Sequence, residues 1–171
     1  METNIYCKPE EEIIDFLKSN QIEYTQIKHT ALFTMDEYEN IQKKLNCLIP
    51  KNLFLCNRQK TKFYLLLMPG NKKFLTKELS SQINSARLSF AEEEKLKETL
   101  NCYKGSTSPL GLLFDKKEEV TLLIDKDLWN EEFFGFHPCD NTSTLKIKKE
   151  DFILYLNIIR KPYTFVTLKG E

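Results

Sequence analysis

The segment from Lys104 to Phe114, KGSTSPLGLLF, is the part of this sequence best suited to bind a ligand through its main chain. It holds two of the five glycines in the chain, Gly105 and Gly111, and Pro109 fixes one φ angle. Because glycine adopts positive φ freely, such a loop can turn its amides and hydroxyls towards a ligand. The same composition is typical of an ordinary turn, since Gly, Ser and Pro are the commonest turn residues. The loop alone leaves both interpretations open.

Two further polar segments could act together with this loop. The dipeptide Lys51-Asn52 supplies a cation and a carboxamide, and the run FHPCDNT, residues 136–142, supplies an imidazole at His137. Each of the three segments lies at the end of an apolar run that is predicted to be a strand, and strand ends and loops are where binding and catalytic residues gather. We therefore expect the Lys51 ammonium, the main-chain donors of the loop and the His137 imidazole to converge on one pocket.

Charge is distributed unevenly along a chain whose formal net charge is zero. Residues 1–39 carry a net charge of −6, residues 40–77 carry +9 without a carboxylate, and residues 78–171 carry −3. The basic segment would create a local positive field suited to phosphate groups. Lysines also occupy exposed strand edges, where they prevent edge-to-edge pairing, so the pattern fits either role.

Length and composition predict one domain, residues 1–171, with an ordinary hydrophobic core. The sequence has no run of about 18 apolar residues and no basic-then-apolar signal peptide, so we expect a cytoplasmic protein without a membrane partner. The five cysteines lack Cys-x-x-Cys spacing, which argues against a disulfide framework or a zinc knuckle and predicts buried free thiols. Because the chain has only two histidines, we expect no catalytic metal, and we expect no cofactor.

Hydrophobic periodicity predicts helices and strands without a steady β-α-β rhythm. Thr34 with Glu37, and Ser89 with Glu92, have the spacing of capping boxes, the second opening a helix from about 90 to 100. Apolar runs at 51–56 and 62–68, joined by a polar turn, predict a hairpin. Other predicted helices begin at Pro9 and cover 76–83 and 150–159; other predicted strands cover 23–29, 120–124, 133–136, 144–147 and 163–168. This order indicates a protein that contains both helices and strands (α/β in the broad sense, of the α+β type). We expect a mixed, largely antiparallel sheet covered by helices.

Six short pieces of the sequence occur in an order that spans nearly the whole chain. They are His29-Thr30 with Thr34 and Glu37; residues 51–55 (KNLFL); residues 88–91 (LSFA); residues 105–112 (GSTSPLGL); Ile124-Asp125; and His137-Pro138 with Asn141-Thr142. The ordered set resembles the YbaK/prolyl-tRNA editing domain family, the free-standing relatives of the insertion domain of bacterial prolyl-tRNA synthetases. The last piece resembles the branch that deacylates alanyl-tRNA(Pro) more than the cysteinyl-tRNA(Pro) branch. Family members often have Val-Ser-Pro-Phe where this chain has Thr-Ser-Pro-Leu, a difference that bears on the substrate more than on the reaction.

The resemblance implies a pseudo-barrel fold that hydrolyses the ester between a wrong amino acid and the 3′ adenosine of a tRNA. A synthetase pocket shaped for proline cannot strongly exclude alanine, since a missing methylene is worth only about 1–3 kcal/mol, so a second site must remove the wrong product. The expected partners are the acceptor end of tRNA(Pro) and prolyl-tRNA synthetase. The pocket is expected to be small and to exclude proline by its shape.

The resemblance also assigns roles to individual residues. Lys51 would hold the carbonyl oxygen or the terminal phosphate of the aminoacyl end, Gly105 and its neighbours would present N–H groups to the developing oxyanion, and His137 would orient the substrate amine or a ribose hydroxyl. The attacking water would be activated by the ribose hydroxyl of the substrate, and His29 is expected to be structural. The expected substrate-binding residues are Asn52, Ser106, Thr107, Ser108, Pro109, Asn141 and Thr142.

Other functions stay open at this level. A cysteinyl-tRNA(Pro) deacylase would perform the same reaction with a different amino-acid pocket, and a non-catalytic tRNA-binding module would keep the pocket without turnover. The first is distinguished by which ester is cleaved, and the second by binding that weakens steeply with salt without hydrolysis. A protein-interaction domain would show no affinity for tRNA even at low salt.

Overall fold

The computed structural model describes residues 8–171, so Cys7 lies outside the described part of the chain. The helices are α1 (Pro9–Ser19), α2 (Met35–Leu45), α3 (Thr76–Gln82), α4 (Glu93–Leu100) and α5 (Lys149–Ile158). The strands are β1 (Thr25–Lys28), β2 (Lys51–Cys56), β3 (Phe63–Met68), β4 (Ser89–Phe90), β5 (Val120–Asp125), β6 (Phe133–Phe136), β7 (Ser143–Lys148) and β8 (Tyr163–Val166). Two 3-10 helices, Pro109–Phe114 and Lys126–Asn130, follow the glycine loop and β5. None of the helices within residues 8–171 is long and apolar enough to cross a membrane.

The strands form two sheets that meet at one point. Strands β1, β7 and β6 make an antiparallel sheet, and the other five make a sheet in the order β4-β2-β3-β5-β8, in which β5 is parallel to both β3 and β8. A parallel bridge between Leu48 and Phe134 joins the sheets, and the N–H of Gly135 donates to the Leu48 carbonyl at 2.8 Å. The predicted mixed, largely antiparallel arrangement with covering helices is confirmed, although it is divided between two sheets.

The five-stranded sheet is covered on both faces because its central strand β3 is apolar throughout. Successive side chains of a strand point to opposite faces. Leu65 and Leu67 belong to a buried cluster that includes residues of α1, α4 and α5, whereas Leu66 and Met68 belong to a second cluster with Leu79 of α3. The strand ends that carry the candidate site are therefore anchored in the core of the molecule.

One predicted capping box forms and the other does not. At the start of α2, the Glu37 carboxylate accepts from the N–H of Thr34 at 2.8 Å, and the Thr34 hydroxyl accepts from the N–H of Glu37 at 3.3 Å. The N–H groups of Phe33 and Thr34, which both donate to the Glu37 carboxylate, lower the pKa of Glu37. The second prediction is wrong, because Ser89 pairs with Cys56 as part of β4 and α4 begins only at Glu93. Phe90 is extended as part of β4 and the helix starts three residues later, so Ser89 has no helical turn directly after it to cap.

The cysteines of the described residues are free thiols. Cys56, Cys102 and Cys139 are buried, as predicted, and Cys47 is half-buried. Burial raises the pKa of the Cys47 thiol to about 11. The Cys47 thiol therefore stays protonated at neutral pH, and the free thiols act as small apolar groups in the packing.

A buried ion pair yields a direct test of the packing. Lys161 Nζ lies 2.9 Å from Asp115 Oδ2, and the two side chains are only 7% and 1% exposed. Lys161→Met leaves the carboxylate buried without its cation, so we expect the free energy of unfolding to fall by about 3–5 kcal/mol in urea titrations. Lys60→Met, in the solvent-exposed Lys60–Glu92 pair, is the control and should leave unfolding unchanged. Equal losses in the two variants would contradict the prediction.

Candidate active site

A cavity of about 690 Å³ lies between α2, the start of β2, the turn after β3 and the glycine loop. Its wall includes Tyr38 and Gln42 of α2, residues 69–72 of the turn, and Gly105 and Thr107 of the loop. This volume is in the range of ordinary small-molecule sites. The cavity is therefore larger than the small pocket that the family resemblance implies, and it has room for a ribose as well as an amino acid.

The structure brings half of the sequence-predicted site residues together around this cavity. Those that line it are Lys51, Asn52, Gly105, Thr107 and His137. Those that do not are Ser106, Ser108, Pro109, Asn141 and Thr142. The first group comes from three separate segments of the chain, so an ammonium, main-chain donors and an imidazole share one cavity.

The cation and the carboxamide occupy the first two positions of β2. The Lys51 ammonium donates to the main-chain carbonyl of Lys72 at 2.7 Å and has no carboxylate partner among residues 8–171. The Asn52 side chain donates to the Pro50 carbonyl at 3.1 Å, which fixes the orientation of its amide. Its Oδ1 atom is then buried without a hydrogen-bond partner among the described residues. Among the described residues, the wall beside Lys51 therefore contains one ammonium without an ion-pair partner and one unused acceptor.

The glycine loop uses most of its polar groups to hold its own shape. Gly105 has φ +96°, a conformation that favours glycine. The Ser106 hydroxyl is buried and bonds both the N–H and the carbonyl of Tyr103 at 3.0 Å, while the Ser108 hydroxyl accepts from the N–H of Leu110 at 3.1 Å. Both hydroxyls thus hold the shape of the loop, and neither Ser106 nor Ser108 lines the cavity, although the sequence predicted that both bind the substrate.

Two main-chain donors of the loop remain unused. Within residues 8–171, the N–H groups of Gly105 and Thr107 donate to no acceptor, and both residues line the cavity. Helix α5 anchors the end of the loop, since the hydroxyl of its Tyr155 lies 3.0 Å from the Pro109 carbonyl and 2.9 Å from the Leu110 carbonyl. Donors held in this way can stabilise negative charge without rearrangement.

His137 has a fixed tautomer. Its Nδ1 atom lies 2.7 Å from the Ser143 carbonyl, and because a carbonyl only accepts, the proton of the neutral ring lies on Nδ1. The Nε2 atom is then an acceptor, and the Tyr38 hydroxyl approaches it at 3.4 Å. Burial lowers the pKa of His137; the Ser143 bond and Asp140 oppose that shift, and the nearby His29 adds to it. The ring is therefore neutral at physiological pH.

His29 lies behind His137 and does not line the cavity. Its ring bonds the Thr30 carbonyl through Nδ1 and the Thr144 hydroxyl through Nε2, each at 2.8 Å. The ring centroids of the two histidines are 6.0 Å apart. Both nitrogens of His29 are used within the protein, which agrees with the structural role expected from the sequence.

Asn141 and Thr142 hold the loop that carries His137 rather than facing the cavity. The Asn141 carboxamide is buried and pairs with both main-chain groups of Leu32, at 3.2 Å and 3.0 Å. The Thr142 hydroxyl donates to Asp140 at 2.7 Å. Asn141 also packs against the glycine loop, since a Cβ on Gly105 would lie 3.4 Å from its Nδ2. The predicted substrate contacts of these two side chains are replaced here by contacts that join the segments of the site.

The basic segment does not form one surface. Arg58, Lys60 and Lys62 lie at the far end of the β2–β3 hairpin, roughly 17 Å from Lys51 along a six-residue strand. Lys72 lines the cavity, but its ammonium pairs with Asp125 at 2.8 Å and Asp127 at 2.7 Å. Burial lowers the pKa of Lys72, but the bonds to the two carboxylates outweigh this effect and raise it overall. The local charge at the cavity is thus smaller than the sequence indicates.

The sequence does not single out most residues of the cavity wall, including Tyr38 and Lys72. Tyr38 lies on α2 with the spacing of the apolar residues of that helix, and its hydroxyl reaches His137. Lys72 is one of the eight lysines in the basic segment, and no local pattern separates it from the others. Only the pairing of distant strands places these side chains. Within residues 8–171, no cluster of His, Cys, Asp and Glu has the arrangement of a metal site.

Comparison with known proteins gives a consistent assignment. The family model of the aminoacyl-tRNA editing domain matches residues 29–154. The chain is 36% identical over 139 residues to the prolyl-tRNA editing protein ProX of Acetoanaerobium sticklandii, covering 81% of this chain and 85% of that protein. It is 31% identical over 147 residues to prolyl-tRNA synthetase associated domain-containing protein 1 of Danio rerio, covering 85% and 79%.

A solved structure shares the fold at low sequence identity. The crystal structure of a proposed trans-editing enzyme for prolyl-tRNA synthetase superposes with a TM-score of 0.70 at 11% identity, covering 95% of this chain and 98% of the other. The family match includes the start of β2, the glycine loop and the His137 loop, and so covers every segment of the cavity wall described above. The chain belongs to the aminoacyl-tRNA editing domain family.

Proposed function

We propose that this protein is a hydrolase that removes alanine from mischarged alanyl-tRNA(Pro). The observation that carries the proposal is the convergence of the Lys51 ammonium, the unused N–H groups of Gly105 and Thr107, and the His137 imidazole on one cavity. These groups suit an ester whose carbonyl oxygen becomes negative in the transition state. The relatives named for prolyl-tRNA editing and for association with prolyl-tRNA synthetase support tRNA(Pro) as the carrier and the synthetase as a partner.

In the proposed mechanism the protein stabilises charge and the substrate helps to activate water. The ester carbonyl oxygen accepts from the N–H groups of Gly105 and Thr107, each worth roughly 3 kcal/mol when well aimed. The Lys51 ammonium faces the same oxygen and stabilises its growing charge. A ribose hydroxyl of the terminal adenosine activates the attacking water, and His137 Nε2 accepts a hydrogen bond from the substrate amine or that hydroxyl. The ester bond breaks to give free alanine and a deacylated tRNA.

The cavity volume bears on how the amino acid is selected. A volume of about 690 Å³ takes an aminoacyl group together with its ribose, so total volume does not exclude proline. Discrimination against proline must come from the wall next to the ester, where a wrong shape prevents the carbonyl from reaching the donors. This selectivity by position is sufficient for editing, because the correct product, prolyl-tRNA(Pro), differs from alanyl-tRNA(Pro) by the ring of its amino acid.

Deacylation of a panel of substrates tests the proposal. Purified protein should release alanine from alanyl-tRNA(Pro) faster than it releases cysteine or proline from the corresponding tRNA(Pro). Lys51→Ala should lower kcat by tenfold or more because the cation at the carbonyl oxygen is lost. Lys62→Ala, at the far end of the hairpin, is the matched control and should change kcat by less than twofold.

Each other outcome has a defined meaning. Preferred cleavage of cysteinyl-tRNA(Pro) would show that the protein is a cysteinyl-tRNA(Pro) deacylase instead. Binding to tRNA that weakens with salt, without release of any of the three amino acids, would replace the hydrolase with a binding module. Equal effects of the two lysine substitutions would remove Lys51 from the mechanism.

The lowered pKa of His137 predicts the acid limb of the pH profile. Protonation places a hydrogen on Nε2 and abolishes the acceptor, and because the pKa lies below the usual value of about 6.5, this occurs only at more acid pH. We expect kcat/KM to stay constant from pH 8 down to about 6.5 and to fall below that. An NMR titration of the His137 ring should give the same midpoint as the rate, whereas a midpoint at or above 6.5 would contradict the prediction.

A further inference from the structure

The Lys72 side chain is fully engaged within the protein although Lys72 lines the cavity. Its ammonium donates to Asp125 at 2.8 Å, to Asp127 at 2.7 Å and to the Leu168 carbonyl at 2.6 Å. An ammonium has three donors, so none is left for a ligand. Lys72 therefore does not offer its positive charge to a substrate in the cavity.

The main-chain carbonyl of Lys72, and not its side chain, contacts the Lys51 ammonium of the candidate site. The carbonyl accepts from the Lys51 ammonium at 2.7 Å, and this is the hydrogen bond that holds the Lys51 side chain in the cavity wall. A lysine side chain has four rotatable bonds, so it takes many conformations when no contact holds it. The position of the Lys51 charge therefore depends on the position of the turn that presents this carbonyl.

The fold fixes that turn from two sides. Strands β3 and β5 are parallel, with Leu67 opposite Ile124, so the next residue of β5, Asp125, comes beside the start of the turn. Asp125 is completely buried and also accepts from the N–H of Asp127 at 3.1 Å. On the other side the C-terminal segment packs closely, since a Cβ on Gly170 would lie 3.0 Å from the Lys72 Cβ.

We propose that Lys72 is a positioning residue for Lys51: its ion pair with Asp125 and Asp127 holds the turn so that its carbonyl directs the Lys51 ammonium towards the ester. The proposal rests on the proposed function for its catalytic consequence. A displacement of about 1 Å in a catalytic group can lower a rate by about 100-fold, so a side chain that never touches substrate can control the rate. Because all three donors of the Lys72 ammonium are used within the protein, its removal deletes no contact to the substrate and should act chiefly on kcat.

Single-turnover and steady-state deacylation of alanyl-tRNA(Pro) by Lys72→Met tests the proposal. We expect kcat to fall by tenfold or more while KM changes by less than twofold. The double variant Lys72→Met/Asp125→Asn should show the same kcat as Lys72→Met, since the two residues act as one unit, and it avoids an unpaired buried carboxylate that could prevent folding. Lys161→Met is the matched control, because it breaks the other buried Lys–Asp pair, away from the cavity. It should lower stability and leave kcat within twofold in the folded protein.

Two kinetic outcomes would overturn the proposal. If Lys72→Met weakens tRNA binding and lowers the slope of log affinity against log salt by about one, Lys72 is a phosphate contact instead. If Lys72→Met and Lys161→Met change kcat equally, the effect of the Lys72 pair is one of general stability.

A readout independent of activity separates this proposal from the proposed function. The ammonium resonances of lysine in ¹H–¹⁵N spectra report hydrogen bonds that slow exchange with water. The Lys51 ammonium signal should be observed in the wild type and in Lys161→Met, and should be lost or shifted in Lys72→Met. An unchanged Lys51 signal in Lys72→Met refutes the positioning role, whereas a wild-type protein that cleaves none of the esters refutes the hydrolase alone.

Discussion

The register of β2 on β3 is the constraint on which the arrangement of this site depends. Lys51 pairs with Met68, so the turn that follows β3 lies directly beside the first residue of β2. A slip of one residue would move every side chain of β2 to the other face and would remove Lys51 from the cavity. The register is held by the core, because the alternate residues of β3 fill two separate apolar clusters. The hydrophobic pattern of the hairpin thus determines where the Lys51 ammonium lies.

The polar groups of the site divide into those that hold the geometry and those that are left for a ligand. The side chains of Ser106, Ser108 and Asn141 are buried, and each forms hydrogen bonds with main-chain groups of the protein. The groups without such partners are the N–H donors of Gly105 and Thr107 and the Oδ1 atom of Asn52. Of these three groups the Asn52 oxygen is buried, whereas Gly105 is exposed and Thr107 is half-buried. An unsatisfied buried polar group costs about 1–3 kcal/mol, so a fold tolerates the Asn52 oxygen mainly where a ligand or water supplies the partner.

Much of the fold could be predicted from the sequence because its signals are local. The proline at the first position of α1, the capping box at Thr34 and the apolar runs of β2, β3 and β5 predict the correct element type. Ser89 was misassigned because its partner, Cys56, is 33 residues away in the sequence and strand pairing outweighs a local cap. The joining of the two sheets likewise depends on the contact of Leu48 with Phe134, which no local pattern reports.

The candidate site was predictable as a set of segments and less so as a set of side chains. The family resemblance selected the three loops, and all three contribute to the cavity wall. It did not separate side chains that face the cavity from those that brace it, because Ser106 and Gly105 are neighbours with opposite roles. The net charge of the basic segment was also misleading, since Asp125 and Asp127, more than 50 residues away, neutralise Lys72.

The central claim is that the ester of an aminoacylated adenosine lies against the donors of the glycine loop. A stable amide analogue, 3′-alanylamino-3′-deoxyadenosine, titrated into ¹⁵N-labelled protein and followed by NMR, tests this directly. The account predicts that the amide signals of Gly105 and Thr107 shift downfield at saturation, together with the His137 ring, while the signals of residues 58–62 stay unchanged. Saturable binding that leaves the amides of Gly105 and Thr107 unshifted would contradict it.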